Sequence, residues 1–301
     1  MENKAGFVTI LGLPNAGKST LLNALLGQKL SITTKKPQTT RKKILGILSE
    51  EDYQIIFLDT PGILKPSYLL QQKMMNIVNK ASHDADIYIY IMDVSDDPTG
   101  EKLFSEEVIQ ASLKTNKPKL LIINKVDLSN QENIVVLLQK FNDENKFDAV
   151  IPISASLAYN ISSVLAQIIE RLPEHPKYYP DDIVADESER FFVSEIIREK
   201  VFELYQEEIP YSTEVRISDY KEREAGKDLI RAVIIVERDS QKGIVIGKNG
   251  EAIKRLGAMA RKDIESFLQR EVFLDLRVKV KSKWRSNENM LRSFGYDDSE
   301  E

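Results

Sequence analysis

The stretch Gly12-Leu13-Pro14-Asn15-Ala16-Gly17-Lys18-Ser19 constrains this chain more than any other. It fits the pattern glycine, four residues, glycine, lysine, serine or threonine, in which a tight loop wraps a polyphosphate with its backbone N–H groups. Lys18 can reach the β- and γ-phosphates, and the Ser19 hydroxyl can coordinate Mg²⁺. The apolar run Phe7–Leu11 before the loop predicts a buried strand. Ser19–Leu26, with Thr20 in its first turn, predicts a helix whose amino end faces the phosphates. A glycine turn that matched the pattern by chance would have no reason to sit between these two elements.

A chain of 301 residues accommodates one large or two ordinary domains, and 42 % hydrophobic residues suffice for a core. The absence of cysteine excludes disulfides, thiolate metal sites and a cysteine nucleophile. His83 and His175 lie too far apart in sequence to suggest a zinc site. The sequence contains no apolar run of about 18 residues and no leader pattern at Met1–Ala5, so a cytoplasmic protein is expected. The net charge of −5 is unevenly spread. Residues 1–180 balance 20 basic against 20 acidic side chains, and residues 181–241 carry 9 against 17. Residues 242–292 carry 13 basic against 6 acidic. A basic segment in an acidic chain suits a polyanionic partner, or else a solvated charged face.

Strand-like and helix-like stretches alternate as far as Leu172, which predicts an α/β domain with a mainly parallel sheet and helices on both faces. Ligands of such sheets bind beyond the carboxyl ends of the strands. Asp59-Thr60-Pro61-Gly62 follows the strand Tyr53–Leu58, where Asp59 can hold Mg²⁺ and the Gly62 N–H can bond a γ-phosphate. Asn124-Lys125-Val126-Asp127 follows the strand Pro118–Ile123. A carboxylate at Asp127 accepts the paired N1 and N2 hydrogens of guanine, which adenine lacks, so it selects the base. Asn124 can contact the purine edge and tie back to the Gly12–Ser19 loop, and the Lys125 stem can cover the base face. Ser154-Ala155 follows the last strand, where a backbone N–H can meet the guanine O6.

These motifs, in this order and each at a strand end, make residues 6–172, in a domain spanning 1–172, resemble the translation-factor-like branch of Ras-like P-loop GTPases. The resemblance implies a mobile switch over Gln38, Thr39, Thr40, Arg41 and Lys42, with one threonine on Mg²⁺ when GTP is bound. Thr40, directly before an arginine, is expected in that role, with Thr39 as the alternative. Expected catalytic contributors are Lys18, Thr40, Gly62 and Asn15. Ile63 stands where many relatives place a water-orienting glutamine, so slow hydrolysis is expected. In related GTPases an asparagine at the position of Asn15 holds K⁺ against the phosphates; the alternative is that Asn15 only forms the turn.

Residues 173–188 are rich in proline and turn formers and read as a linker, with His175 facing solvent. The remainder, 189–301, reads as helix, strand, strand, helix, Gly-x-x-Gly, helix, strand. That order resembles an α+β KH domain of type II topology. Its loop Gly247-Lys248-Asn249-Gly250 would clamp a single-stranded RNA backbone, with Ile246 and Ile253 as an apolar floor for bases. Lys254, Arg255, Lys281 and Lys283 would meet phosphates, and Trp284 would either stack on a base or pack against a closing helix.

The combination resembles the Era family of bacterial GTPases over almost the whole chain. Lys36–Arg41, Ser194–Lys200 and Lys279–Trp284 carry that likeness together with the two glycine loops. The resemblance implies GTP and GDP as ligands, Mg²⁺ as cofactor, and binding of the single-stranded 3′ end of small-subunit ribosomal RNA during 30S subunit assembly. It also implies a monomer with weak peripheral association at the cytoplasmic face of the membrane. The competing reading is a GTPase whose second domain docks protein or membrane instead of RNA.

Overall fold

Runs of β-branched and other apolar residues build the centre of the first sheet. In the computed structural model, which describes residues 3–223 and 225–296, its strands are β1 (Lys4–Leu11), β2 (Ile44–Ser49), β3 (Tyr53–Asp59), β4 (Ile87–Asp93), β5 (Lys119–Asn124) and β6 (Ala149–Pro152). They lie in the order β2-β3-β1-β4-β5-β6. Only β2 runs antiparallel to its neighbour, because Glu50–Asp52 joins it to β3 as a hairpin. The other pairings are parallel and need crossover helices. These are α1 (Lys18–Leu26), α2 (Leu69–Asp84), α3 (Glu101–Phe104), α4 (Glu107–Leu113) and α5 (Gln131–Asp143), while α6 (Ile161–Arg171) follows the last strand. One face of the sheet packs Ile10, Ile89 and Ile122 with Leu21, Leu22 and Ile168. The other packs Tyr90, Leu121 and Ile123 with Leu103, Ile109 and Phe141. Each fully buried aliphatic side chain contributes roughly 1.5–3 kcal/mol.

The helical stretch after β4 is broken into α3 and α4 because Glu106 takes an extended conformation and restarts the second piece. The linker segment is bonded into the first unit, whose boundary falls after Asp186. The Ile47 N–H donates to the Val184 carbonyl at 2.9 Å, and Ala185 bridges Gly46, so the segment covers part of the open edge of β2. Gln54, fully buried, accepts from the N–H groups of Tyr178 and Tyr179 at 2.7 and 2.9 Å and donates to the Tyr179 carbonyl at 2.8 Å. His175 is exposed, as expected, yet its ring stacks on Tyr178 with centroids 4.2 Å apart.

The second unit runs α7 (Glu189–Leu204), β7 (Glu214–Lys221), β8 (Asp228–Val236), α8 (Asp239–Ile246), the turn Lys248–Gly250, α9 (Glu251–Leu268) and β9 (Val272–Val280). A turn at Trp284–Ser286 and α10 (Glu288–Ser293) close it. The sheet order is β7-β8-β9, with β7 antiparallel and β9 parallel to β8. One face carries the core of Ile197, Val201, Ile230, Ile234, Leu256 and Ile264. On α7 the charged run Arg198-Glu199-Lys200 is buried as well. Lys200 reaches Asp263 of α9 at 2.7 Å, so an ion pair replaces the solvated face that such a run usually forms. Among the described residues no helix is long and apolar enough to cross a membrane.

Candidate functional site

The carboxyl ends of β1, β3, β4, β5 and β6 deliver five loops to one end of the first sheet. The loop Gly12–Ser19 leaves β1 and runs into the amino end of α1. Gly17 sits there with φ 101°, and a Cβ on it would lie 2.2 Å from the Asn124 side-chain nitrogen. Asn15 also has positive φ, which asparagine tolerates in turns, and its Nδ2 donates to the Lys35 carbonyl at 3.0 Å. Lys18 is buried and donates to the carbonyls of Gly12 and Leu13 at 3.1 and 2.9 Å. Loss of water pushes its ammonium down to about 8, and Asp59 opposes that shift. A polyphosphate in reach of Lys18 supplies the charge that these neutral carbonyls do not.

Three oxygens converge beside Lys18. The Ser19 Oγ lies 2.9 Å from Thr40 Oγ1 and donates to Asp59 Oδ2 at 2.8 Å. Thr39 is engaged elsewhere, with its Oγ1 2.7 Å from Thr34 Oγ1 and donating to the Lys36 carbonyl. The switch segment therefore brings Thr40, and not its neighbour, beside Ser19 and Asp59. Gln38 bends the chain with φ 61°, Arg41 is buried and Lys42 half-buried. Burial pushes the Asp59 carboxyl up, against the bond from Ser19 and the charge of Lys18. Its Oδ1 is buried with no hydrogen-bond partner among the described residues. Two hydroxyls and a dry carboxylate form a hard-oxygen set that suits Mg²⁺.

Thr60 and Pro61 are buried, and the Thr60 hydroxyl holds the Ile10 carbonyl at 3.1 Å, so this threonine anchors the loop after β3. A Cβ on Gly62 would lie 2.7 Å from Pro14 Cα, which places this loop directly against Gly12–Ser19. Ile63 is 3 % exposed and belongs to the core, so it orients no water.

The base-side loops are tied by Asn124. Its Nδ2 donates to the Ala16 carbonyl at 2.8 Å and its Oδ1 accepts from the Ala155 N–H at 3.0 Å. Val126 is half-buried, and the Asp127 carboxylate is exposed at the start of a single turn, Val126–Leu128. Ser154 and Ala155 both make backbone hydrogen bonds within the protein. The Ser154 N–H bonds the Tyr159 carbonyl and the Ala155 N–H is taken by Asn124. Asp93 was not singled out in the sequence. Its carboxylate lies 2.5 Å from Lys125 Nζ, and it also accepts from the Ser95 N–H at 3.0 Å. The signal available was position alone, since Asp93 ends β4 beside Asn124.

In the second unit Lys248, Asn249, Lys254, Arg255, Lys281 and Lys283 are exposed, whereas Ile246, Gly247, Gly250 and Ile253 are half-buried. The Gly247–Gly250 turn opens α9, and a groove of about 370 Å³ runs between α9 and β9. Ile253, Lys254 and Arg261 line one side, and Phe273, Leu274 and Leu276 the other. Phe273 is 58 % exposed, and β9 is an edge strand whose outer backbone groups are open to hydrogen bonding. The alternation of β9 had marked it as a strand but not as the wall of a groove. Trp284 is fully buried, donates to the Ser212 carbonyl at 2.9 Å and packs edge-on against Phe294, which leaves no face for a base.

Comparison with known proteins agrees with both units. A family model described as 50S ribosome-binding GTPase matches residues 7–125, and a KH domain model matches residues 208–285. GTPase ERA1, chloroplastic, of Zea mays is 45 % identical over 299 residues, which cover 98 % of this chain and 71 % of that relative. GTPase Era of Geotalea daltonii is 43 % identical over 293 residues, covering 97 % and 98 %. The crystal structure of Era in complex with MgGDPNP and nucleotides 1506–1542 of 16S ribosomal RNA matches with a TM-score of 0.91 at 37 % identity, over 98 % of this chain and 99 % of that one. With guanine-nucleotide loops on a Ras-like sheet, a type II KH unit following it in sequence and this likeness along 97 % of its length, the chain belongs to the Era family of GTPases and hydrolyses GTP.

Proposed function

We propose that this GTPase is a switch that binds the single-stranded 3′ end of small-subunit ribosomal RNA and assists 30S subunit assembly. The observation that carries the reading is the Gly247–Gly250 turn, with Lys248 exposed, opening onto an apolar groove flanked by Lys254 and Arg261. Such a turn admits a phosphate backbone, and such a groove admits unstacked bases. The Era relative that matches with a TM-score of 0.91 was solved with nucleotides 1506–1542 of 16S ribosomal RNA.

Ser19, Thr40 and Asp59 would hold Mg²⁺, which neutralises phosphate charge when bound. Lys18 exchanges its two carbonyl partners for phosphate oxygens, and the Gly62 N–H fixes the terminal phosphate. Thr40 closes over the site only while that phosphate is present, and its release loosens the switch. Without a side chain to orient water at Ile63, the intrinsic rate is slow. Asn15 and the Lys35 carbonyl, already bonded to each other, offer oxygens for K⁺ beside the phosphates. Equal hydrolysis rates in matched K⁺ and Na⁺ buffers would remove that part of the reading.

Binding of a short RNA with the small-subunit 3′-end sequence, compared with a GTP analogue and with GDP, tests the switch. Affinity is expected to differ between the two states and to fall at least tenfold, about 1.4 kcal/mol, in Lys248→Asp/Gly250→Asp. Undiminished RNA binding by that variant would place the partner elsewhere. Lys18→Ala is expected to abolish GTP turnover.

A further inference from the structure

We propose that the GTPase unit carries a second ligand site, at the end of its sheet opposite the nucleotide loops, for a flat ring bearing an anionic group. A cavity of about 510 Å³ lies there, within the size range of small-molecule sites. Lys119 opens β5 and Phe147 precedes β6, so the cavity stands beyond the amino ends of strands whose carboxyl ends deliver the base-side loops. None of its lining residues takes part in the chemistry assigned to GTP or to RNA.

Its floor is aromatic. Phe104, Phe141 and Phe147 form a mutual cluster with ring centroids 5.5, 5.6 and 6.1 Å apart. Phe141 is buried, but Phe104 and Phe147 are only half-buried and leave ring surface facing the cavity they line. A planar ring fits against such surface by offset or edge-on stacking.

Its rim is cationic. Lys146 is paired with Glu144 at 2.9 Å. Among the described residues the other three lysines, Lys114, Lys119 and Lys140, make no ion pair. Lys119 Nζ donates to the carbonyls of Thr115 and Lys117, and Lys140 Nζ donates to that of Thr99. Carbonyls fix these ammonium groups in place without cancelling their charge. The one further carboxylate on the lining is Glu101. Four lysines against two carboxylates leave the lining with a net positive charge, which a low-dielectric floor focuses into the cavity. Ring and anion are therefore both required, a chemistry shared by nucleoside monophosphates and aromatic carboxylates.

The test uses the full chain saturated with GDP, so that the nucleotide loops are occupied. The probes are 1-naphthyl phosphate, adenosine monophosphate, 1-naphthoate and inorganic phosphate, followed by fluorescence or calorimetric titration. Saturable binding is expected for at least one ring-bearing anion, about tenfold tighter than for inorganic phosphate. A preference for adenosine monophosphate over 1-naphthoate would identify a nucleotide, and the reverse an aromatic carboxylate. Lys119→Gln/Lys140→Gln, and separately Phe147→Leu, are expected to weaken binding at least about tenfold while GDP affinity and GTP turnover stay unchanged. Absence of saturable binding, equal binding by the variants, recognition of inorganic phosphate alone, or binding only by an acidic aromatic peptide would each overturn the proposal. Because GDP is present throughout, none of these results bears on the GTPase or RNA reading.

Discussion

At the scale of single residues, the two glycines of the Gly247–Gly250 turn are not equivalent. Gly247 has φ 72° and ψ 173°, a region that only glycine occupies, and a Cβ on it would lie 2.6 Å from the Ala252 Cβ. Gly250 has φ 76° with nothing within 4 Å of a built Cβ. Gly247→Ala should therefore cost about 3 kcal/mol and Gly250→Ala about 1–2 kcal/mol, measured by denaturant unfolding of the two variants. Equal costs would mean that the turn is set by something other than these contacts. Asp93 makes a second case. It holds Lys125, itself at φ 64°, in an ion pair whose side chains are 12 % and 28 % exposed. Asp93→Asn should free the lysine stem from the base face and speed GDP release by about fivefold, near 1 kcal/mol, with kcat unchanged. A stopped-flow chase of fluorescent GDP reads this directly. The Gly12–Ser19, Asp59–Gly62 and Asn124–Asp127 motifs were legible because each is a local backbone device. Asp93 was not, since its role exists only once β4 and β5 are paired.

At the scale of elements, the strands and helices were legible to within a few residues, because apolar alternation and helical spacing are local signals. Residues 173–186 were not. Proline and turn formers describe a segment without regular structure, and they do not say that Gln54 will fix its backbone from inside the protein. Gln54 holds it through three bonds to Tyr178 and Tyr179. Gln54→Leu keeps the volume but strands those backbone groups, at about 1–3 kcal/mol for a buried unsatisfied group. The variant should melt lower and be cut by protease within 175–186, where the parent resists. Resistance equal to the parent would show that the Val184 and Ala185 contacts suffice. These contacts join β2, which follows Thr40 closely in sequence, to the segment that leads into α7.

At the scale of the whole molecule, the overall charge of −5 hides an uneven distribution, because residues 242–292 carry 13 basic against 6 acidic side chains in an otherwise neutral or acidic chain. The two units also have separate cores. The first is built on Ile10, Ile89 and Phe141, and the second on Ile197, Ile234 and Ile264. A chain with two cores need not unfold in one step. The guanine-nucleotide motifs all lie on loops of the first unit, and a ligand that binds the folded form stabilises it by mass action. At a hundredfold excess over its dissociation constant the gain is about 2.7 kcal/mol, which raises the midpoint of a unit this size by roughly 5–10 °C. Calorimetry should thus show two transitions, with GDP moving one and the 3′-end RNA moving the other. If GDP moves both equally in the absence of RNA, the cores unfold as one cooperative body, and nucleotide state reaches the KH unit through the fold itself.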